Sequence, residues 1–109
     1  MEKITTKEGL NAFISNCGDK LAVAKFSGSW CSPCRMLGRI IEEIAPNYAD
    51  KVVFADIEAD DAEDGMLEEL NITNIPVLAF YKNGLMVDRT VGMIGKDALI
   101  NKIEENYNK

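Results

Sequence analysis

Two short, nearly unbroken apolar runs, Leu21–Phe26 and Val52–Ile57, are separated by Met36, Leu37, Ile40, Ile41, Ile44, Ala45 and Tyr48 at helical spacing. Runs this short without polar alternation are strands covered on both faces, and a helix joining two of them makes them parallel with a right-handed crossover. This unit confines the chain to a layered α/β architecture. The flanking sequence extends it. A short strand containing Ile4 precedes a first helix, where Thr5 and Glu8 form a capping-box pattern and Leu10, Phe13, Ile14 and Cys17 supply the apolar stripe. Pro46 is predicted to kink or end the second helix, and Asp60 or Asp61 to cap a third helix that reaches Leu70. Val77–Lys82 and Leu85–Val91 flank Asn83-Gly84, a two-residue hairpin signal, and Leu99, Ile100, Ile103 and Tyr107 mark a last helix opened near Gly95-Lys96-Asp97. The predicted order is β-α-β-α-β-α-β-β-α, a central mixed five-stranded sheet with four helices covering both faces.

With 109 residues and no repeat, linker or low-complexity tract, residues 1–109 read as one domain. A net charge of −6 repels nucleic acid and anionic lipid. The longest charge-free stretch, residues 70–81, is far shorter than the roughly 20 residues of a membrane span, so neither nucleic acid nor membrane is an expected partner. The first residues are charged and lack the apolar region of a secretory signal, from which a cytoplasmic protein is expected. The chain has no histidine, which excludes Ser-His-Asp and Cys-His catalysis. Three cysteines fit neither a disulfide scaffold nor a zinc site, and no metal is expected.

Two of the cysteines form Cys31-Ser32-Pro33-Cys34 at the start of the second helix. Residues i and i+3 share a helix face with Cβ atoms about 5 to 6 Å apart. A disulfide needs about 3.8 Å, so a small local shift makes or breaks it. Cys31, at the helix N-terminus, has a thiolate favoured by free N–H groups and by the helix dipole, which marks it as the nucleophile. Cys34, one turn deeper, is placed to resolve a mixed disulfide formed at Cys31. Pro33 is tolerated in the first turn, where its missing N–H has no partner, and it stiffens the loop.

The segment Trp30-Cys31-Ser32-Pro33-Cys34-Arg35-Met36 resembles the active-site segment of the thioredoxin family. Ile75-Pro76 resembles its cis-proline loop, and Lys82-Asn83-Gly84 with Val91-Gly92 its terminal hairpin. The resemblance covers nearly the whole chain. It implies a thioredoxin fold and a dithiol–disulfide oxidoreductase that reduces protein disulfides through Cys31 and Cys34. It also implies an apolar surface of Trp30, Ile75, Pro76, Gly92 and Met93 that docks disulfide-containing clients, a monomer recharged by thioredoxin reductase or an equivalent donor, and no cofactor beyond the Cys31–Cys34 disulfide.

Four departures from the family pattern stand out. Ser32 replaces a glycine, Ser27 an aromatic residue, and Arg39 a proline that bends the active-site helix, so the first half of that helix is expected to be straighter. The fourth is an exchange: Lys25 stands where thioredoxins usually carry a buried aspartate that handles the proton of the second cysteine, and Asp56 where they carry a lysine. Each charge interrupts an apolar strand, and the two strands are parallel, so Lys25 and Asp56 are expected to meet behind Cys34. The alternative has both side chains reaching the sheet edge and never meeting.

Plainer readings compete at several positions. Cys17 continues an apolar stripe and reads as a core residue rather than a regulatory thiol. Residues 52–81 hold eight acids and no base, read as a solvated helix face in preference to a patch selecting basic partners. Arg35 is either a support for a thiolate or a surface charge. The activity itself has two rivals: a disulfide oxidase or isomerase of the same fold, and a redox-inert binding module.

Overall fold

The structure is a computed structural model that describes residues 1–109. Its elements follow the predicted order: β1 (Glu2–Lys3), α1 (Lys7–Ser15), β2 (Leu21–Ser27), α2 (Ser32–Ile44), β3 (Val52–Glu58), α3 (Met66–Glu69), β4 (Val77–Lys82), β5 (Leu85–Val91) and α4 (Lys96–Tyr107). The five strands form one sheet in the order β1-β3-β2-β4-β5. β3 runs parallel to both β1 and β2, while β4 is antiparallel to β2 and to β5.

Side chains alternate across the pleat, so each central strand feeds two cores. Ala22, Ala24, Phe26, Ala55, Ile57, Val77 and Ala79 join Leu10 and Phe13 of α1 and Met66 of α3 on one face. Leu21, Val23, Val52, Phe54, Leu78 and Phe80 join Leu37, Ile41 and Ile44 of α2 and Leu99 and Ile103 of α4 on the other. The same alternation puts Lys25 and Ser27 on the α2 face of β2, and Asp56 on the α2 face of β3. The Asn83-Gly84 turn is made as predicted, with φ of 54° and 84°, values that asparagine and glycine tolerate best.

Several local expectations are corrected. The cap of α1 is Thr6, whose hydroxyl accepts from Gly9 N at 2.9 Å, and not Thr5. The carboxylate serving the first turn comes from Glu63, 56 residues away, which accepts from Lys7 N at 3.0 Å and displaces Glu8 from the expected box. α1 ends at Ser15, so Cys17 lies beyond it; still part-buried against the core, its thiol donates to Ile14 O at 3.1 Å. The helix expected from Asp60 or Asp61 to Leu70 is replaced by a 3₁₀ turn at Ala59–Asp61 and the single turn of α3. Gly65, at φ 82°, breaks the run in a conformation that favours glycine. Other expectations hold: α2 is continuous past Arg39 to Ile44, and Pro46 sits in a 3₁₀ turn at Ala45–Asn47 that ends it.

One polar clasp was not foreseen. On β5, Asp88 accepts from Lys102 Nζ and Asn106 Nδ2 of α4, both at 2.9 Å, and from Arg89 N at 2.8 Å. Asn106 is fully buried. Partial burial raises the Asp88 pKa, but the bonds from Asn106, Lys102 and Arg89 N outweigh it and hold the carboxyl below its ordinary value. A depressed folded pKa gives stability that is present above the unfolded value, near 3.9, and lost as pH falls through the folded one. Asp88→Ala is therefore expected to cost about 1–3 kcal/mol at pH 7, because it leaves the buried Asn106 Nδ2 with Lys102 O as its one remaining acceptor. In urea denaturation the gap between variant and parent should narrow as pH drops below about 4; a gap independent of pH would contradict this.

Candidate active site

The sulfurs of Cys31 and Cys34 are joined in a disulfide, with Cα atoms 5.2 Å apart. Cys31 is the N-cap of α2: its Sγ accepts from Cys34 N at 3.2 Å, and its carbonyl accepts from Arg35 N. Pro33 lies in the first turn, as its missing N–H requires. Exposure separates the two cysteines only slightly in this oxidised state, at 5% for Cys31 and 1% for Cys34. Ser32 and Pro33 between them are exposed.

A chain of polar contacts holds the loop around the disulfide. Arg35 donates to Ser29 O at 3.1 Å and Ser32 Oγ at 2.9 Å, so its guanidinium bridges the residues flanking Cys31 and does not bond to either sulfur. Ser29 Oγ donates to Asp60 at 2.8 Å, and this bond holds the Asp60 carboxyl below its usual range. Asp56, Asp60, Glu63 and Glu69 all have partners inside the protein, so half of the eight acids are internally paired and the segment is not the solvated helix face expected.

Trp30 is 71% exposed and leans over Gly28. A Cβ on Gly28 would stand 2.9 Å from Ile75 Cδ1 and 3.0 Å from Trp30 Cε2, so the absence of a side chain lets Trp30 and Ile75 close on one another. The Ile75-Pro76 bond is cis, as the resemblance implied. Pro76 is buried, and its carbonyl accepts from Gly92 N at 2.8 Å, which brings Gly92 and the 43% exposed Met93 to the same loop. Residues from three separate stretches of sequence thus meet beside the disulfide as one apolar rim.

Beneath α2, Lys25 and Asp56 are paired across β2 and β3 in direct register. Lys25 Nζ lies 3.3 Å from Asp56 Oδ1, with both side chains more than nine-tenths buried. Ser27 Oγ donates to the same carboxylate oxygen at 3.0 Å. The alternative in which the charges part is therefore overturned. Ser27 was overlooked as a partner, although period-two spacing from Lys25 was the available signal. The ammonium makes no hydrogen bond to either sulfur; it sits against Gly38, where a Cβ would be 3.4 Å away, one turn after Cys34 on the same face of α2.

The thioredoxin family model matches residues 2–105. The chain belongs to the thioredoxin family. It is 35% identical over 101 residues to thioredoxin 2 of Chlorobaculum tepidum, covering 93% of this chain and 91% of that one. It is 39% identical over 89 residues to the thioredoxin of Ictalurus punctatus, covering 78% and 82%. The solved thioredoxin of Fasciola hepatica superposes with a TM-score of 0.88 at 27% identity, over 97% and 99% of the two chains. Thioredoxin membership and the disulfide pair make this chain a thiol–disulfide oxidoreductase, a protein-disulfide reductase acting on disulfide-containing clients.

Proposed function

We propose that Cys31 and Cys34 divide the reaction between them. In the reduced protein the Cys31 thiolate attacks one sulfur of a client disulfide, and the client's other sulfur leaves as a thiolate that takes up a proton. The Cys34 thiolate then attacks Sγ of Cys31, which frees the second client thiol and leaves the Cys31–Cys34 disulfide. Two electrons pass to the client. An electron donor of the thioredoxin reductase type returns them, the protein acts as a monomer in the cytoplasm, and no metal or further cofactor takes part. Trp30, Ile75, Pro76, Gly92 and Met93 receive the client strand, whose backbone pairs with the Ile75 peptide as at a sheet edge. Ser32 and Pro33 set the loop. Lys25, tied to Asp56, supplies the positive charge that steadies Cys34 as a thiolate.

The observation that carries this reading is the disulfide at the head of α2, beside an exposed Trp30 held against Ile75. Reduction of insulin with dithiothreitol as electron source tests it. Catalysed precipitation of the insulin B chain is expected, and failure to exceed the uncatalysed rate would favour the redox-inert binding module. Equilibration with a dithiothreitol couple separates reductase from oxidase or isomerase. A potential near about −270 mV is expected; about −180 or −120 mV would identify the isomerase or oxidase class.

A further inference from the structure

Nearly every cation in the chain has a partner. Lys7, Lys25, Lys51, Lys96 and Lys102 are paired with carboxylates, and Arg35, Lys82, Arg89 and Lys109 donate to backbone oxygens. Lys3, Lys20 and Arg39 are left, with neither an ion pair nor a hydrogen bond. Two of them, Lys3 on β1 and Arg39 on α2, face one cleft of about 450 Å³ whose lining also includes Lys25, Arg35, Glu42 and Asp56. Lys25, buried in its wall, donates only to Asp56 and has two further N–H groups to offer.

We propose that this cleft binds a small dianion of the phosphate class, either inorganic phosphate or a phosphomonoester. Among the lining side chains, four cations against two carboxylates leave an excess of two positive charges, to which the Met1 amino group adds, and a dianion offsets that excess. The Arg39 guanidinium presents a planar fork suited to two phosphate oxygens, while Lys3 and Lys25 act as point charges. Glu42 in the lining and the net charge of −6 oppose a polyanionic strand, so the occupant is small. Three of the positions where this chain departs from the thioredoxin pattern, Lys25, Arg39 and Asp56, converge on the cleft. The site is thus a property of this sequence; it shares Lys25 with the proposed reaction, but anion binding is read without reference to how the two cysteines share it.

The test is an NMR amide titration of the full chain at pH 7.5 with sodium phosphate in one arm and glycerol 3-phosphate in the other, ionic strength being held constant with sodium chloride. Saturable shifts at Lys3, Lys25, Gly38 and Arg39 are expected in at least one arm, and the arm that saturates identifies the source. The double variant K3Q/R39Q should bind about tenfold or more weakly, since two charge-assisted contacts are lost. K20Q, which removes the unpaired charge outside the cleft, should bind as the parent does. Both variants should fold and reduce insulin normally, because Lys3 and Arg39 are exposed and Lys20 is half-buried, with no ion pair or hydrogen bond to lose. Shifts that rise linearly in both arms, that sodium chloride alone reproduces, or that persist unchanged in K3Q/R39Q would overturn the proposal.

Discussion

Cys34→Ser is expected to turn the protein into a trap. The variant keeps Cys31 as N-cap of α2, with the free N–H groups that favour its thiolate, so attack on a client disulfide proceeds. With no second thiol one turn away, the mixed disulfide persists. Insulin turnover should fall to the uncatalysed rate, while non-reducing gels show adducts that dithiothreitol releases. Cys31→Ser should lose turnover just as completely and trap nothing, since Cys34 lies within α2 and lacks the N-cap position that favours the Cys31 thiolate. Adducts forming equally in both variants would refute the division of roles. Alkylation of the reduced parent offers a second measurement, in which Cys31 should react before Cys34 and before the part-buried Cys17.

The second large effect concerns Lys25 and Asp56. Each is more than nine-tenths buried on the α2 face, and removing one leaves the other uncompensated. Lys25→Met and Asp56→Leu should each destabilise by about 3–5 kcal/mol, a large share of the 5–15 kcal/mol that holds a typical domain together. Asp56→Leu also removes the acceptor of the Ser27 hydroxyl. The double variant should cost clearly less than the two singles combined, because no buried charge survives. Since the two residues are in direct register, Lys25→Asp combined with Asp56→Lys rebuilds the pair in its reverse order and should recover most of the stability. Lys25→Asp alone sets two carboxylates side by side and should be the least stable of the series. Urea denaturation measures these values, and the rate at which Cys34 resolves a mixed disulfide reads out the effect of the ammonium on chemistry. Strict additivity, or unchanged resolution in Lys25→Met, would remove the pair from the mechanism.

Lys25 and Asp56 also show what a sequence reveals. A charge inside an apolar strand is conspicuous, and the crossover through α2 is enough to predict that two such strands lie side by side. The Asn83-Gly84 turn is equally legible, because its backbone conformation depends on two residues and not on the rest of the fold. What stayed hidden depends on groups distant in sequence. Thr5 and Thr6 are both competent caps; Thr6 is used, and Glu63, on the far side of β3, serves the first turn of α1. Asp60, one of two adjacent candidates for a helix cap, instead accepts from Ser29, beside the disulfide. The sequence leaves Arg35 open between a thiolate support and a surface charge, and only the folded loop reveals that it bridges Ser29 and Ser32. The extra residue at Val87, where the β4–β5 register shifts, and the Asp88 clasp beside it depend on where α4 packs. No periodicity reports that.

The rim beside the disulfide is drawn from residues as far apart as Gly28 and Met93, whereas the two sulfurs are three residues apart. The thiols meet within a single turn, so they are able to oxidise in a chain that has yet to fold. Seating a client must wait until β4 has paired with β2 and the hairpin has brought Gly92 to Pro76. Closure of the disulfide and discrimination among clients are therefore acquired at different moments in the life of the polypeptide, and a newly made or partly unfolded copy is able to join its two sulfurs before it has a surface that recognises a client.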